Sequence, residues 1–459
     1  MNDTTPGPSD DIAAADSTLD PSANVRYPEP RTRRTREANV ESSMDRQPGT
    51  SGKSFHGMPG SARLLNDRIA LELFAQHGSL SRTQLRDMMG VTQPTAIDLV
   101  RRLTEAGMLT KLKQEVQSRR GPKTAVFGLA SGEHFIAAVN VRDRFIGVLI
   151  ADITGGPSVA SADRRIDDRP LARQIHAAVE ALLLSVGLGW ERVVQTIVGV
   201  PGVVNLATGD LGFSWDLRNL SGSLLSSLQA VVSSPVQLVN GVDLAAVAEG
   251  TRADLQQRSI FALLWIGTGV GSCLMVNGTP LRGASGAAGQ IGYTPVPEAP
   301  MPQVRPRTGG FQGDLQALIG GQGLRALAKK VGLPSQSVPT LLRQGAGPAD
   351  HLFQVYFNEV ARRIAIACAS MASVVDPGVF VLQGSTAMAG GAELAQRVQD
   401  RFTEISPLSA TVRPGAYQEH AELEGGIELG RKLARDAIWG GGEVLRQRRS
   451  NSAQPFIVP

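Results

Sequence analysis

Cysteine is almost absent. Only Cys273 and Cys368 occur in 459 residues, far apart, which excludes a disulfide framework and a cysteine-based metal cluster and makes a reducing cytoplasm the expected setting. No run of about 18 uncharged apolar residues exists, so no membrane span is expected. The N-terminus lacks the apolar core of a secretion signal. Residues 1–60 have almost no large apolar side chains and are dominated by Asp, Ser, Thr, Pro and Gly, the composition of a disordered tail, and 446–459 reads the same way. Arg31, Arg33, Arg34 and Arg36 form a basic knot in the first tail, compatible with a supplementary DNA contact or with simple solvation. Over the whole chain, apolar content of 42% and charged content of 19% are ordinary for a globular protein, and the length allows two or three domains.

What is present begins with three apolar-periodic segments in quick succession, Ile69 to Phe74, Thr83 to Met89 and Pro94 to Leu103. Ser81 stands where it can cap the second segment, and Gly90 can stop it in the left-handed conformation. Thr92 can cap the third, and Pro94 suits a first helical turn. Only three residues separate Gly90 from Pro94, the tight turn of a helix-turn-helix. Ile97, Val100 and Leu103 are expected to form the buried stripe of the third helix. Met108 to Lys111, a polar basic hairpin over 114–123 and Ala125 to Leu129 then read as strand, wing, strand. The order predicts a winged helix-turn-helix over 62–129.

Its chemistry points to DNA. Ser81, Thr92, Gln93, Pro94 and Thr95 gather at the leading end of the recognition helix, where such helices reach base edges. Arg101 and Arg102 follow, in positions suited to phosphates. From Arg101 to Lys123 the cations Arg101, Arg102, Lys111, Lys113, Arg119, Arg120 and Lys123 face only Glu105 and Glu115, an excess that the net charge of +4 understates. Arg119, Arg120 and Lys123 at the wing tip can enter a minor groove. A charge run alone more often marks a solvated face; the ordered constellation carries the DNA reading.

From Phe135 apolar strands alternate with amphipathic helices, the texture of α/β architecture. Phe135 to Ala151 and Phe261 to Gly278 each read as a strand hairpin, turning at Arg142-Asp143-Arg144 and at Gly267-Thr268-Gly269-Val270-Gly271. Two similar hairpins opening two α/β halves suggest a duplicated fold with a ligand cleft between lobes. Helices are expected over 172–185, 243–252, 315–331, 350–375, 392–401 and 427–446, with no element in the Pro- and Arg-rich stretch 296–312.

Four segments carry a family likeness: Gly199-Val200-Pro201-Gly202-Val203-Val204, the helix start Asn240-Gly241-Val242-Asp243, the glycine turn above, and Arg282-Gly283-Ala284-Ser285-Gly286-Ala287-Ala288-Gly289-Gln290-Ile291-Gly292-Tyr293. Together they resemble the ROK family (repressors, open reading frames and sugar kinases), specifically its regulators with an N-terminal winged helix, over about residues 64–445. The resemblance implies a two-lobed actin/hexokinase-like domain over 133–445, its C-terminal helix returning to the first lobe.

It also implies functional residues, and many are replaced. Kinases of the family carry a general-base aspartate directly after the asparagine; here that position is Gly241, which cannot accept a proton. Asp243, two residues on, is expected to point elsewhere. The first phosphate loop should read Asp-x-Gly-Gly-Thr but stands as Asn140-Val141-Arg142-Asp143-Arg144. The zinc-binding histidine aligns with Tyr293 and the cysteine cluster with Arg307, Gly309 and Asp314, a poor set for tetrahedral zinc. No catalytic residue, metal or cofactor is therefore expected. Asn240 matches a sugar contact, and Gln290 and Gln316 replace glutamates with weaker neutral acceptors, so Asn240, Gln290, Tyr293 and Gln316 are the candidate ligand residues.

The resulting expectation is a cytoplasmic DNA-binding regulator, a repressor of carbohydrate-related genes. It would bind a double-stranded palindromic operator as a homodimer or higher oligomer and answer to a sugar-type effector through the linker 130–133. The alternatives are a ligand-independent regulator with a vestigial pocket, and a sugar kinase with an appended module.

Overall fold

In the computed structural model, which describes residues 59–112, 125–142, 144–214, 217, 222–296, 312–347 and 350–439, the first elements start where their capping residues stand. They are α1 (Pro59–His77), β1 (Ser79–Ser81), α2 (Arg82–Met89), α3 (Gln93–Glu105), β2 (Leu109–Leu112) and β3 (Val126–Leu129). Ser81 Oγ accepts from Gln84 N at 3.2 Å while Ser81 N donates to Gln84 Oε1 at 2.9 Å, a reciprocal capping box. Gly90 ends α2 at φ 65°, Thr92 caps α3, and Pro94 sits in its first turn. β3 lies between β1 and β2, antiparallel to both. The expected wing hairpin falls outside the described residues.

The stripe of α3 departs from expectation at one place. Ala96, Leu99, Val100 and Leu103 are buried, whereas Ile97 is 41% exposed. The i, i+3, i+4, i+7 pattern starts one residue earlier, which turns Ile97 to the outer face. The buried side chains meet Leu71, Phe74, Leu85 and Phe127, and Trp439 from the far end of the chain completes this core.

The remainder is two sheets built to one plan. The first comprises β4 (Phe135–Val141), β5 (Phe145–Asp152), β6 (Ala160–Arg165), β7 (Val193–Val200) and β10 (Val236–Asn240), with α4 (Leu171–Ser185), the small hairpin β8 (Val203–Val204) and β9 (Leu211–Phe213), and α5 (Leu224–Gln229) inserted. After α6 (Gly241–Gly250) and α7 (Ala253–Gln256) the second sheet follows. It uses β11 (Ile260–Ile266), β12 (Val270–Val276), β13 (Thr279–Pro280), then α8 (Leu315–Ile319), α9 (Gly321–Val331), α10 (Val338–Gly345) and α11 (His351–Val375). It is completed by β14 (Val379–Gln383), α12 (Ser385–Ile405), β15 (Thr411–Pro414) and α13 (Ala421–Trp439). The strand orders β6-β5-β4-β7-β10 and β13-β12-β11-β14-β15 match one for one, each an antiparallel meander followed by two parallel crossovers. The protein is thus mixed α/β, a winged helix followed by a two-lobed kinase-like body. No described helix is long and apolar enough to cross a membrane.

Several helices differ from their expected spans. Gly320 takes an extended conformation and divides 315–331 into α8 and α9. α12 begins at Ser385, but Gly391 interrupts it at φ 58°, which is why the pattern resumed only at 392. α13 begins at Ala421, six residues before Ile427. The short α5 and α10 were not anticipated. Residues 297–311 lie outside the described set.

Helix α13 returns to the first lobe over a glycine face. A Cβ at Gly425 would stand 1.7 Å from the Leu244 carbonyl oxygen on α6, and one at Gly430 would stand 2.4 Å from Ile136 Cγ2 on β4. Glu249, fully buried on α6, fixes the approach: it accepts from Ala416 N at 2.7 Å and Gln383 Nε2 at 3.2 Å. Asp243 on the same helix faces inward, beside Cys273 and Arg282, and burial pushes its carboxyl up to about 6.

Two outcomes follow from this packing. Gly425→Ala should lower the unfolding free energy by about 1–3 kcal/mol, the range for overpacked cores, read as a fall in Tm; an unchanged Tm would contradict the close approach. The raised carboxyl of Asp243 means that its charged form is disfavoured by folding, so its stabilising contribution is full below about 3.8 and lost as pH rises through about 6. Asp243→Asn should therefore be more stable than the parent at pH 7, with the difference vanishing near pH 4.

Candidate functional site

The outer face of the winged helix comes from the start of α3. Thr92, Gln93, Pro94 and Thr95 are all exposed, and Thr92 and Thr95 hydroxyls lie 2.8 Å apart. Arg86 Nη1 donates to Gln93 Oε1 at 3.4 Å and adds a cation from α2, while Ile97 adds an apolar side chain. Neither was expected on this face, Ile97 having been assigned to the buried stripe; the helical period counted from Ala96 would have placed it here.

Two expected contacts are placed otherwise. Ser81 is 8% exposed and its hydroxyl is engaged as the α2 cap, so it lies off this face. Arg102 donates to both carboxylate oxygens of Asp67 on α1, at 2.8 and 2.9 Å, and to Asp98 at 3.0 Å. Its guanidinium is a strut between α1 and α3 and is not presented to a phosphate. Arg101 remains half exposed, shared between Asp98 at 2.6 Å and Glu105 at 2.9 Å. Arg119, Arg120 and Lys123 lie outside the described residues.

The second candidate site is a cleft of about 1660 Å³ between the two sheets. Its floor is formed by strand ends and the loops that follow them: Asn140 near the end of β4, Gly202 after β7, Asn240 as the last residue of β10, residues 267–271 from the turn after β11 into β12, and Gly384 after β14. A Cβ built on Gly241 would meet nothing closer than Asn140 Oδ1 at 3.7 Å and Glu422 Cγ at 3.8 Å. Space therefore does not demand glycine there. The space alongside holds Glu422, in the first turn of α13, whose Oε1 accepts from Asn140 Nδ2 at 3.0 Å. Burial pushes the Glu422 carboxyl up, opposed by its helix-end backbone, Arg142, Asn140 and His420. Arg142 in turn donates to Asp163 at 3.0 Å. Asp243 does not line the cleft.

The four candidate ligand residues all border the cleft, but not on equal terms. Asn240 accepts from Val242 N at 2.7 Å and donates to Gly202 O at 2.6 Å, so it caps α6 and ties down the Gly-Pro segment. Gln316 accepts from Val270 N at 2.8 Å and donates to Thr268 O at 3.1 Å. Its amide thus ties the glycine turn to α8. Gln290 and Tyr293, the latter 41% exposed, flank a short 3-10 turn over Ile291–Tyr293. Asp314 caps α8 through Ala317 N at 2.8 Å; this cap and Tyr293 do not fit the zinc site of the likeness. Glu422 went unnoticed because nothing around it in the sequence marks a ligand residue; only the return of α13 brings it to Asn140.

Comparison with known proteins agrees with this geometry. The model of the ROK family matches residues 163–429, more than half of the chain. A xylose repressor from Caldicellulosiruptor bescii is 19% identical over 341 residues, spanning 71% of this chain and 84% of that protein. An N-acetyl-D-glucosamine kinase from Pectobacterium atrosepticum is 26% identical over 201 residues, 42% of this chain and 65% of the kinase. Among solved structures, a ROK family transcriptional regulator described as a homologue of the E. coli MLC protein superposes with TM-score 0.67 at 16% identity, covering 83% of this chain and 98% of its own. The ROK hexokinase from Thermus thermophilus gives TM-score 0.53 at 21% identity, covering 66% and 99%. A duplicated sheet plan, a cleft at the strand ends and a family match across most of both lobes lead to one assignment: the chain belongs to the ROK family.

Proposed function

We propose that the protein is a DNA-binding transcriptional regulator, a repressor of carbohydrate-related genes, in which residues 62–129 read an operator and the catalytically inactive body 133–445 holds a sugar-type effector in its cleft. The observation that carries this reading is the pairing of an exposed polar recognition-helix start with a cleft that has glycine where a base would stand. Phosphoryl transfer needs a carboxylate to take the hydroxyl proton and a loop that binds phosphate and metal. Gly241 offers neither proton acceptor nor metal ligand, and Asn140 and Arg142 occupy the first loop. The regulator neighbour covers 83% of the chain and the hexokinase 66%, so the likeness to the regulator extends further, by about the length of the winged helix.

In this reading two protomers place their α3 helices in successive major grooves of a palindrome, with Thr92, Gln93 and Thr95 at base edges and Arg101 exchanging Asp98 and Glu105 for phosphate. Arg119, Arg120 and Lys123 supply further phosphate or minor-groove contacts. A ligand stabilises one lobe arrangement over another and thereby shifts the spacing of the two recognition helices. A second reading, regulation without a ligand, is favoured by the engagement of Asn240 and Gln316 with their own backbone.

Arg119→Ala with Arg120→Ala should weaken operator binding and lower the slope of log K against log salt by about 1.8, on about 0.9 per phosphate contact. Unchanged affinity and slope would remove the wing from the interface. Purified protein should transfer no phosphate from ATP to glucose, N-acetylglucosamine or xylose, and Gly241→Asp alone should not create turnover, because Asn140 and Arg142 remain. Steady turnover by the parent protein would overturn the reading. A thermal-shift series with the same three sugars separates the two regulatory readings: stabilisation accompanied by altered DNA affinity supports sensing, and a blank supports the ligand-free form.

A further inference from the structure

Helix α13 has its two ends in two different cores. Its first turn lies in the interlobe cleft, where Glu422 is 9% exposed and tied to Asn140. Its last residue, Trp439, is 5% exposed in the core of the winged helix with Leu71, Phe74, Leu85, Leu99 and Phe127. Asp436, one turn earlier, accepts from Arg68 of α1 at 2.5 Å. Nineteen residues at 1.5 Å rise make a rod of about 28 Å between these points.

Between its ends the rod is held closely to the first lobe. Arg431 Nε donates to Asp152 O at 2.9 Å, and Arg435 donates to Ile153 O at 2.6 and 2.9 Å while its guanidinium lies over the Trp439 ring at 5.4 Å. The linker ends on the same residue: Gly132 N donates to Asp152 Oδ2 at 2.5 Å, and Arg192 bonds Glu133 at 2.5 Å. The covalent connection is thus pinned to the first lobe, while α13 runs without a break from cleft to winged helix.

We propose that α13 carries cleft occupancy to the winged helix, with Glu422 as the group that contacts the ligand and Trp439 as the anchor in the DNA-reading core. This rests on the effector reading of the cleft. Glu422 lies beside the space where a side chain at 241 would project, so its carboxylate stands near the lost aspartate and accepts from a hydroxyl or ammonium donor. That chemistry selects sugars and amino sugars. Drawing Glu422 toward a ligand competes with its bond to Asn140. Close-packed contacts at Gly425 and Gly430 give α13 little room for gradual adjustment, so a displacement at one end is passed to the other. Linkage makes the effect reciprocal: the factor by which the ligand changes DNA affinity is the factor by which DNA changes ligand affinity.

The test is amide hydrogen exchange on the full chain with and without glucose, xylose or N-acetylglucosamine, alongside affinity for each sugar. In the parent protein a bound sugar should change exchange in α1 to α3 as well as in the cleft. Glu422→Gln should weaken that sugar by about tenfold, the loss of one charge-assisted hydrogen bond. Trp439→Ala, or the milder Trp439→Leu if the first does not fold, should keep the affinity within about twofold and lose the response in α1 to α3. Parent-like affinity in Glu422→Gln, or a full winged-helix response in the α13 end variants, would overturn the proposal. If none of the three sugars binds, the sugar-effector reading fails by itself. The helix is then tested without ligand: Glu422→Gln must change exchange around Trp439, and unchanged protection there overturns the coupling.

Discussion

The burial of both ends of one helix holds this protein together as a single device. α13 joins the first-lobe sheet through glycines that admit the Leu244 carbonyl and Ile136, and its terminal Trp439 fills a core that α1, α2 and α3 cannot close by themselves. That contact joins the winged helix to the rest of the chain in addition to the linker 130–133. With it, the orientation of α1 relative to the first lobe is fixed by apolar packing and by the Arg68–Asp436 pair, half exposed and so worth little alone. Everything proposed about communication between cleft and DNA depends on this packing.

The cleft tells a consistent chemical story. A kinase needs groups that change protonation or coordinate charge during transfer. Here the corresponding positions hold a glycine, an asparagine and an arginine. Two amides that border the cleft, Asn240 and Gln316, satisfy backbone donors and acceptors of the loops around them. Such a site is built to keep its shape. Glu422, a buried carboxylate bordering this cleft, belongs to the helix that runs on to the winged helix.

Local rules made much of the architecture legible. Ser81, Gly90, Thr92 and Pro94 placed two helices because caps and stops act within four residues. The two apolar hairpins announced two sheets because alternation and turn residues are read in sequence. Failures came where distant parts meet. Ile97 belongs to the outer face because the stripe is set by what α1 packs against, and Arg102 is a strut because Asp67 lies 35 residues away on another helix. Gln316 matched a ligand position by alignment, but its neighbours are the backbone atoms of Thr268 and Val270, which no local pattern reveals. Glu422 is the clearest case: it joins the cleft through a contact 282 residues apart in the chain.

The central claim, that the chain reads DNA as a symmetric regulator, is tested most directly by selecting bound duplexes from a random pool with the purified full-length protein and sequencing them. The account predicts enrichment of an inverted repeat whose half-sites lie about one helical turn, or a multiple of it, apart. A pool that remains unenriched, or a preference without dyad symmetry, would contradict it.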